Sequence, residues 1–171
     1  NVYLLHGDLS VDEINYLYNH PKVKSMVSLT HGEGFGRPLL EATMTGLPVI
    51  ATNWSGHTDF LSSELSILLG GEINQVPKSV VWKDIIIPES KWFNVNESQV
   101  YKSLNYVFEN ALQSKNKAKD LMYKNREKFT LNKMKDKFDE IMEKYLKDTP
   151  SQVSLNLPKL KKKESIKLPK L

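Results

Sequence analysis

Short apolar runs alternate with helix-patterned segments, and that alternation leaves this chain few folds to choose from. Val2-Tyr-Leu-Leu-His6, Val23 to Leu29, Leu47-Pro-Val-Ile-Ala51 and Ser66 to Leu69 read as strands. Between the first two, Ser10 and Glu13 have capping-box spacing, and Ile14, Leu17 and Tyr18 recur at i, i+3 and i+4. Residues 11–19 are therefore predicted to be helical, with His20-Pro21 as the stop. Between the second and third runs, Pro38 suits the first position of a helix that continues through Leu39, Leu40 and Ala42 to Met44 and closes at Gly46. Asn53 to Phe60 reads as a turn. Joints this short call for a parallel sheet with right-handed crossovers, an α/β fold with helices on both faces.

Residues 70–96 read as irregular, with Gly70-Gly71, Pro77, Pro88, Trp82 and Trp92. From Glu97 the pattern turns helical, first with Val100, Leu104, Val107, Phe108 and Leu112 on one face. Two further helices follow over about 115–128 and 131–147. Residues 148–171 hold two copies of Leu-Pro-Lys-Leu and the run Lys161-Lys-Lys163, with little apolar bulk. The expectation is a folded unit over 1–147 and a flexible, disordered basic tail over 148–171.

The net charge of +4 suggests nucleic acid only until it is divided. Residues 1–96 hold 6 Lys/Arg against 10 Asp/Glu, residues 97–147 hold 12 against 8, and residues 148–171 hold 6 against 2. The strand-rich part is thus mildly acidic, which argues against a phosphate-backbone groove there and against a nucleic-acid partner. With no Cys, a thiol nucleophile, a thiolate metal site and a disulfide framework are excluded. No run of about 18 apolar residues predicts an integral membrane segment. The chain enters an apolar segment straight after Asn1, so no signal peptide is expected and a cytoplasmic location is. The acceptor patterns Asn53-Trp-Ser55 and Asn96-Glu-Ser98 are then accidental.

Ligands on parallel sheets sit beyond the carboxyl ends of the strands. The loops that start at Gly7, Thr30 and Thr52 all lie at that edge. The most informative is Thr30-His-Gly-Glu-Gly-Phe-Gly-Arg-Pro-Leu-Leu-Glu-Ala42. A glycine-rich bend running into a helix N-terminus offers unpaired N–H groups and the positive end of a dipole to a phosphate or diphosphate. Arg37 occupies a position where a dinucleotide fingerprint needs glycine, so that reading fails. Glu33 and Glu41, eight apart, suit sugar hydroxyls better than phosphates, because a carboxylate accepts two hydrogen bonds from a vicinal diol. Phosphates at a helix end flanked by hydroxyl-rich rings describe a nucleotide sugar.

Glu33-x7-Glu41 within Glu-Gly-Phe-Gly-x-Pro-Leu-Leu-Glu-Ala, followed by Gly46-Leu-Pro-Val-Ile-Ala51, resembles the C-terminal, donor-binding domain of retaining GT-B glycosyltransferases of family 4. The resemblance spans roughly residues 1–147 and takes in Gly7, Ser55-Gly56 and Asp59. It implies a Rossmann-like domain and retaining transfer of a sugar from a nucleotide-diphosphate donor to a saccharide or other hydroxyl acceptor. Glu33 would be the catalytic residue, on the donor-sugar hydroxyls. Gly34, Phe35 and Gly36 would line sugar and diphosphate, the backbone at Leu39 and Leu40 would face the phosphates, Glu41 would hold the ribose, and Gly7 would lie beside the base. Protein dipoles and basic groups stabilise the leaving diphosphate in such enzymes, so neither metal nor cofactor is expected. The family's N-terminal acceptor domain, and the Arg and Lys that open its C-terminal domain, are missing from this sequence. A domain truncated at its N-terminus, completed in cis or in trans, is the resulting expectation.

Other residues carry plainer readings. His31, Arg37 and His57 are further site candidates; with His6 the two histidines could line one crevice, for hydrogen bonding rather than for metal. Asp8 reads as a turn former, Asp59 as a cap, and Trp82 and Trp92 as packing. Two rivals to the enzyme remain: a non-catalytic nucleotide-sugar-binding module or split-enzyme subunit, and an interaction domain whose Lys-rich tail recruits anionic partners.

Overall fold

Val49–Thr52 is buried at all of its positions, as befits a strand covered on both faces. In the computed structural model, which describes residues 1–147, this strand (β2) is the middle of a three-stranded parallel sheet. Its neighbours are β1 (Met26–Ser28) and β3 (Ile67–Leu69), with Val27 opposite Ile50 and Ala51 opposite Leu68. Alternate β2 side chains feed two cores. Val49 and Ala51 join Leu39, Ala42, Phe60 and Leu121 on one face; Ile50 joins Leu69 and Val107 on the other. The first face is covered by α2 (Arg37–Met44) and α4 (Ala111–Lys128), the second by α3 (Glu97–Glu109). The fold is the expected α/β arrangement, a Rossmann-like parallel sheet with helices on both faces.

Local chemistry explains the element ends. In α1 (Val11–Asn19) the Ser10 hydroxyl accepts from Glu13 N–H at 3.3 Å, and the Glu13 carboxylate accepts from Ser10 N–H at 2.8 Å, a complete capping box. Helix α2 carries Pro38 in its first turn and ends before Gly46, whose φ of 68° is the left-handed stop that glycine adopts without strain. Two side chains of α4 hold α2 in place. Buried Asn125 donates to Thr43 Oγ1 at 2.9 Å and to Phe60 O at 3.2 Å. Arg126 donates to Met44 O through Nε and Nη2, satisfying a carbonyl at the α2 C-terminus.

Two expectations need correction. Val2–His6 is not a strand: Val2, Tyr3, Leu4 and Leu5 are exposed and belong to no ladder. β1 is an edge strand whose hydrogen bonds go to β2, and an apolar run without a neighbouring strand has nothing to pair with. Residues 70–96 are not simply irregular either. β4 (Gly71–Gln75) and β5 (Lys91–Val95) form an antiparallel pair in which Gly71 faces Val95 and Ile73 faces Phe93. β4 is exposed at every position, so its sequence lacks the alternation that marks a half-buried strand.

The described residues divide into two compact units, the second beginning at Asn132. Helix α5 (Leu131–Leu146) accounts for the described part of the second, and Met134, Phe138, Ile141 and Tyr145 along it are exposed rather than packed. The tail expected over 148–171 lies outside the described residues. No helix among them is long and apolar enough to cross a membrane.

Candidate functional site

Two loops leave the carboxyl ends of β1 and β2, and backbone chemistry fastens one to the other. Glu33 N–H donates to Ser55 Oγ at 2.7 Å, and Gly56 N–H donates to Glu33 O at 3.0 Å. The approach is so close that a Cβ on Gly56 would overlap the Gly34 carbonyl oxygen. Ser55 takes φ 74° and ψ −161°, a conformation costly for any residue but glycine. Its carbonyl accepts from Thr58 N–H at 3.1 Å and Thr58 Oγ1 at 2.7 Å, and these bonds help to hold it there. The glycine bend ends at Gly36, the residue before α2, with φ 80°; a Cβ there would meet His57 Cβ at 3.0 Å.

The first turn of α2 has fewer free donors than the sequence suggests. Leu39 N–H and Leu40 N–H both donate to Gly36 O, at 3.0 and 3.1 Å, so neither faces outward unpaired. Pro38 has no N–H, which leaves the amides of Gly36 and Arg37 as the donors of this helix end. Leu39 is a buried core residue and Leu40 packs against the same core. One carbonyl takes both of the amides that the resemblance assigns to the phosphates.

Glu33 is half-buried, and its Cβ is 3.6 Å from where a Cβ on Gly36 would stand. Glu41 is ion-paired with Arg37, Nε to Oε1 at 3.1 Å, one turn apart on α2. Both line a groove of about 410 Å³ between α1 and α2, with Val11, Ile14, Tyr18 and Arg126. Burial raises the Tyr18 hydroxyl above its ordinary pKa, and the Glu41 charge pushes the same way. The structure thus brings Glu41 and Arg37 together and places Glu33 in the other arm of the site, against the 53–59 loop. Gly34 is exposed, with open space where a side chain would stand. The Phe35 ring packs against Phe60 and Phe129, centroids 5.3 and 6.2 Å away. Gly7 sits in the exposed N-terminal segment, with open space where a side chain would stand.

The three crevice histidines part company. His31 stacks on Trp92, with 9° between ring planes, and its Nδ1 lies 2.9 Å from Phe93 O. His57 is fully buried with Nε2 at 2.5 Å from Thr52 O, so Nε2 carries the proton; its Nδ1 has no hydrogen-bond partner among the described residues. His6 stays in the N-terminal segment. No group of three or more His, Asp or Glu among the described residues could hold a metal.

Residues 1–69 match the family model described as glycosyl transferases, group 1. The matched stretch runs from the N-terminal segment through β3 and includes both clamped loops, Glu33, Glu41 and the α1–α2 groove. It makes that part of the chain similar to enzymes of glycosyl transfer in general, without naming donor, acceptor or stereochemical course. No curated protein matches the chain. The sequence had singled out neither Tyr18 beside Glu41 nor Trp54, whose only mark was its place in an Asn-Trp-Ser triplet.

Proposed function

We propose that residues 1–131 form the donor-binding part of a glycosyltransferase that takes a nucleotide-diphosphate sugar and passes the sugar, with retention, to a hydroxyl acceptor. The observation that carries this reading is the clamp of Ser55 and Gly56 on the Glu33 peptide, at the sheet edge where ligands bind and at the mouth of α2. Glu33 is the catalytic candidate, with its carboxylate toward the donor-sugar hydroxyls. The diphosphate lies at the α2 N-terminus on the amides of Gly36 and Arg37, where the helix dipole favours negative charge. Glu41 takes the ribose diol. In the transfer, the bond from the anomeric carbon to the diphosphate oxygen breaks, the acceptor oxygen bonds to that carbon on the same face, and the acceptor's hydroxyl proton passes to the leaving diphosphate. The leaving group's charge is held by dipoles, so neither metal nor cofactor enters. The acceptor, a saccharide or other hydroxyl compound, is bound by a further domain, in cis or in trans.

One observation favours the second reading, a nucleotide-sugar-binding module without turnover of its own. Arg37 is paired with Glu41 and Arg126 donates to Met44 O, so the two arginines that line the α1–α2 groove are already engaged. Titration calorimetry with UDP, GDP and ADP, and with UDP-glucose, GDP-mannose and ADP-glucose, tests both. Binding with sugar release to water or acceptor supports the enzyme, binding alone supports the module, and no binding sinks both. Glu41→Ala is expected to weaken nucleotide binding by about 1–3 kcal/mol through lost charge-assisted hydrogen bonds. Glu33→Ala should weaken the nucleotide sugar more than the bare nucleotide.

A further inference from the structure

Trp54 is held more firmly than a surface indole needs to be. Asn53 N–H donates to Leu69 O at 2.9 Å and carries the β2–β3 ladder one residue past the strand end. On the other side, Ser55 is fixed in its strained conformation by Glu33 and Thr58. Between these anchors the indole lies parallel to the buried Phe93 ring, 3° between planes and 6.1 Å between centroids. Phe93 is itself tied to the glycine loop, since its N–H donates to His31 O and its carbonyl lies against His31 Nδ1. The indole Nε1 and Cδ1 come within 3.7 and 3.8 Å of where a Cβ on Gly32 would stand, so the ring edge lies in van der Waals reach of the glycine loop. Trp54 is nevertheless 43% exposed.

A rigid, backed aromatic ring open to water, on the loop that is clamped to the Glu33 peptide, is the arrangement a pyranose fits. One face of such a ring is lined by C–H groups and its rim by hydroxyls. The apolar face suits an indole and the rim suits a carboxylate. Trp54 stands two residues from the Gly56 N–H that binds Glu33 O, and one from the Ser55 hydroxyl that binds Glu33 N–H. Phe35, exposed to a similar extent, is instead turned onto Phe60 and Phe129.

We propose that Trp54 is a stacking platform for a pyranose ring whose hydroxyls reach Glu33, the ring being either the hexose of the donor or a sugar of the acceptor. This rests on the reading of Glu33 as the sugar-binding acid, and the experiment separates the two. The whole 171-residue chain, ¹⁵N-labelled, is compared with Trp54→Ala and Trp54→Phe, after thermal unfolding has confirmed that each variant folds. The indole N–H signal that both variants lose belongs to Trp54. UDP-glucose, GDP-mannose and ADP-glucose are titrated beside UDP, GDP and ADP, with maltotriose and mannotriose alone as a third arm. If the donor hexose stacks, Trp54→Ala loses about three- to tenfold in affinity for a nucleotide sugar and nothing for its bare nucleotide, while Trp54→Phe keeps most of it. If an acceptor sugar stacks, the loss falls on the trisaccharide arm. The Trp54 signal shifts with sugar in either case. Sugar binding unchanged in Trp54→Ala overturns the platform and leaves the nucleotide site standing. Trisaccharide binding through Trp54 without nucleotide binding supports the platform and overturns the donor site. A chain that binds no sugar in any arm overturns the platform.

Discussion

Replacing Gly56 by alanine tests the clamp on which the site is built. The new Cβ would overlap Gly34 O and stand 2.7 Å from Gly34 C and 3.0 Å from Glu33 O, all backbone atoms that no rotamer change can move aside. Two responses are open to the protein. If the loops stay together, the overpacking costs about 1–3 kcal/mol or more. If they part, the bonds Gly56 N–H to Glu33 O and Glu33 N–H to Ser55 Oγ are lost, at about 0.5–1.5 kcal/mol each. The protein adopts the cheaper response, so the expected destabilisation is about 1–3 kcal/mol. Gly34→Ala is the matched control, on the facing loop. A Cβ there meets nothing within 4 Å, and Gly34 is not among the glycines with positive φ. Its effect is expected between neutral and about 1 kcal/mol stabilising, through the unfolded chain. Urea unfolding followed by tryptophan fluorescence gives both values on one scale. Gly56→Ala within about 0.5 kcal/mol of Gly34→Ala would refute the reasoning, because the loops would then be free to separate at no cost.

Asn125→Ala removes two buried hydrogen bonds and leaves Phe60 O unsatisfied, so urea unfolding should show a loss of about 1–3 kcal/mol. Arg37→Ala breaks an exposed pair and should change stability by less than about 0.5 kcal/mol, while freeing Glu41 for ligand. Nucleotide titration in parallel tells whether that pair holds the acid back. The Ser10 N–H, and then its hydroxyl, hold the Glu13 carboxyl below its ordinary pKa. Its support of α1 is therefore complete above the ordinary carboxylate value and is lost as pH falls through the lowered one. The ¹³C carboxyl titration of Glu13 should report that lowered midpoint, and amide exchange of Ser10 should speed up across it. A Glu13 titration at the ordinary glutamate value removes the argument.

Signals written within a few residues were legible in the sequence, and those that depend on a distant partner were not. The Ser10–Glu13 box, Pro38 at the start of α2 and Gly46 at its end are local, and the helices stand where these residues put them. Val2–Leu5 has the composition of a strand, but a strand exists through its neighbour, and β1 gives its ladder to β2. The β4–β5 pair is the converse case. Gly71-Glu-Ile-Asn-Gln75 shows no buried face, and it is a strand because Ile73 meets Phe93 across the ladder.

The site divides in the same way. The glycine bend and its two acids could be read from spacing, whereas their surroundings could not. Glu33 is fixed by residues 22 and 23 positions further on, and Glu41 is paired with an arginine on its own helix. The end of α2 shows how such surroundings change the donors on offer. Leu40 N–H makes the first regular i→i−4 bond of α2 to Gly36 O, and with no side-chain cap at Gly36 the Leu39 N–H shares that carbonyl. On the proposed reading the anion relies on the amides of Gly36 and Arg37, closer to Glu33. A shift of three residues in the donors moves the expected diphosphate toward the clamp, which is where the strain at Ser55 and the indole of Trp54 are found.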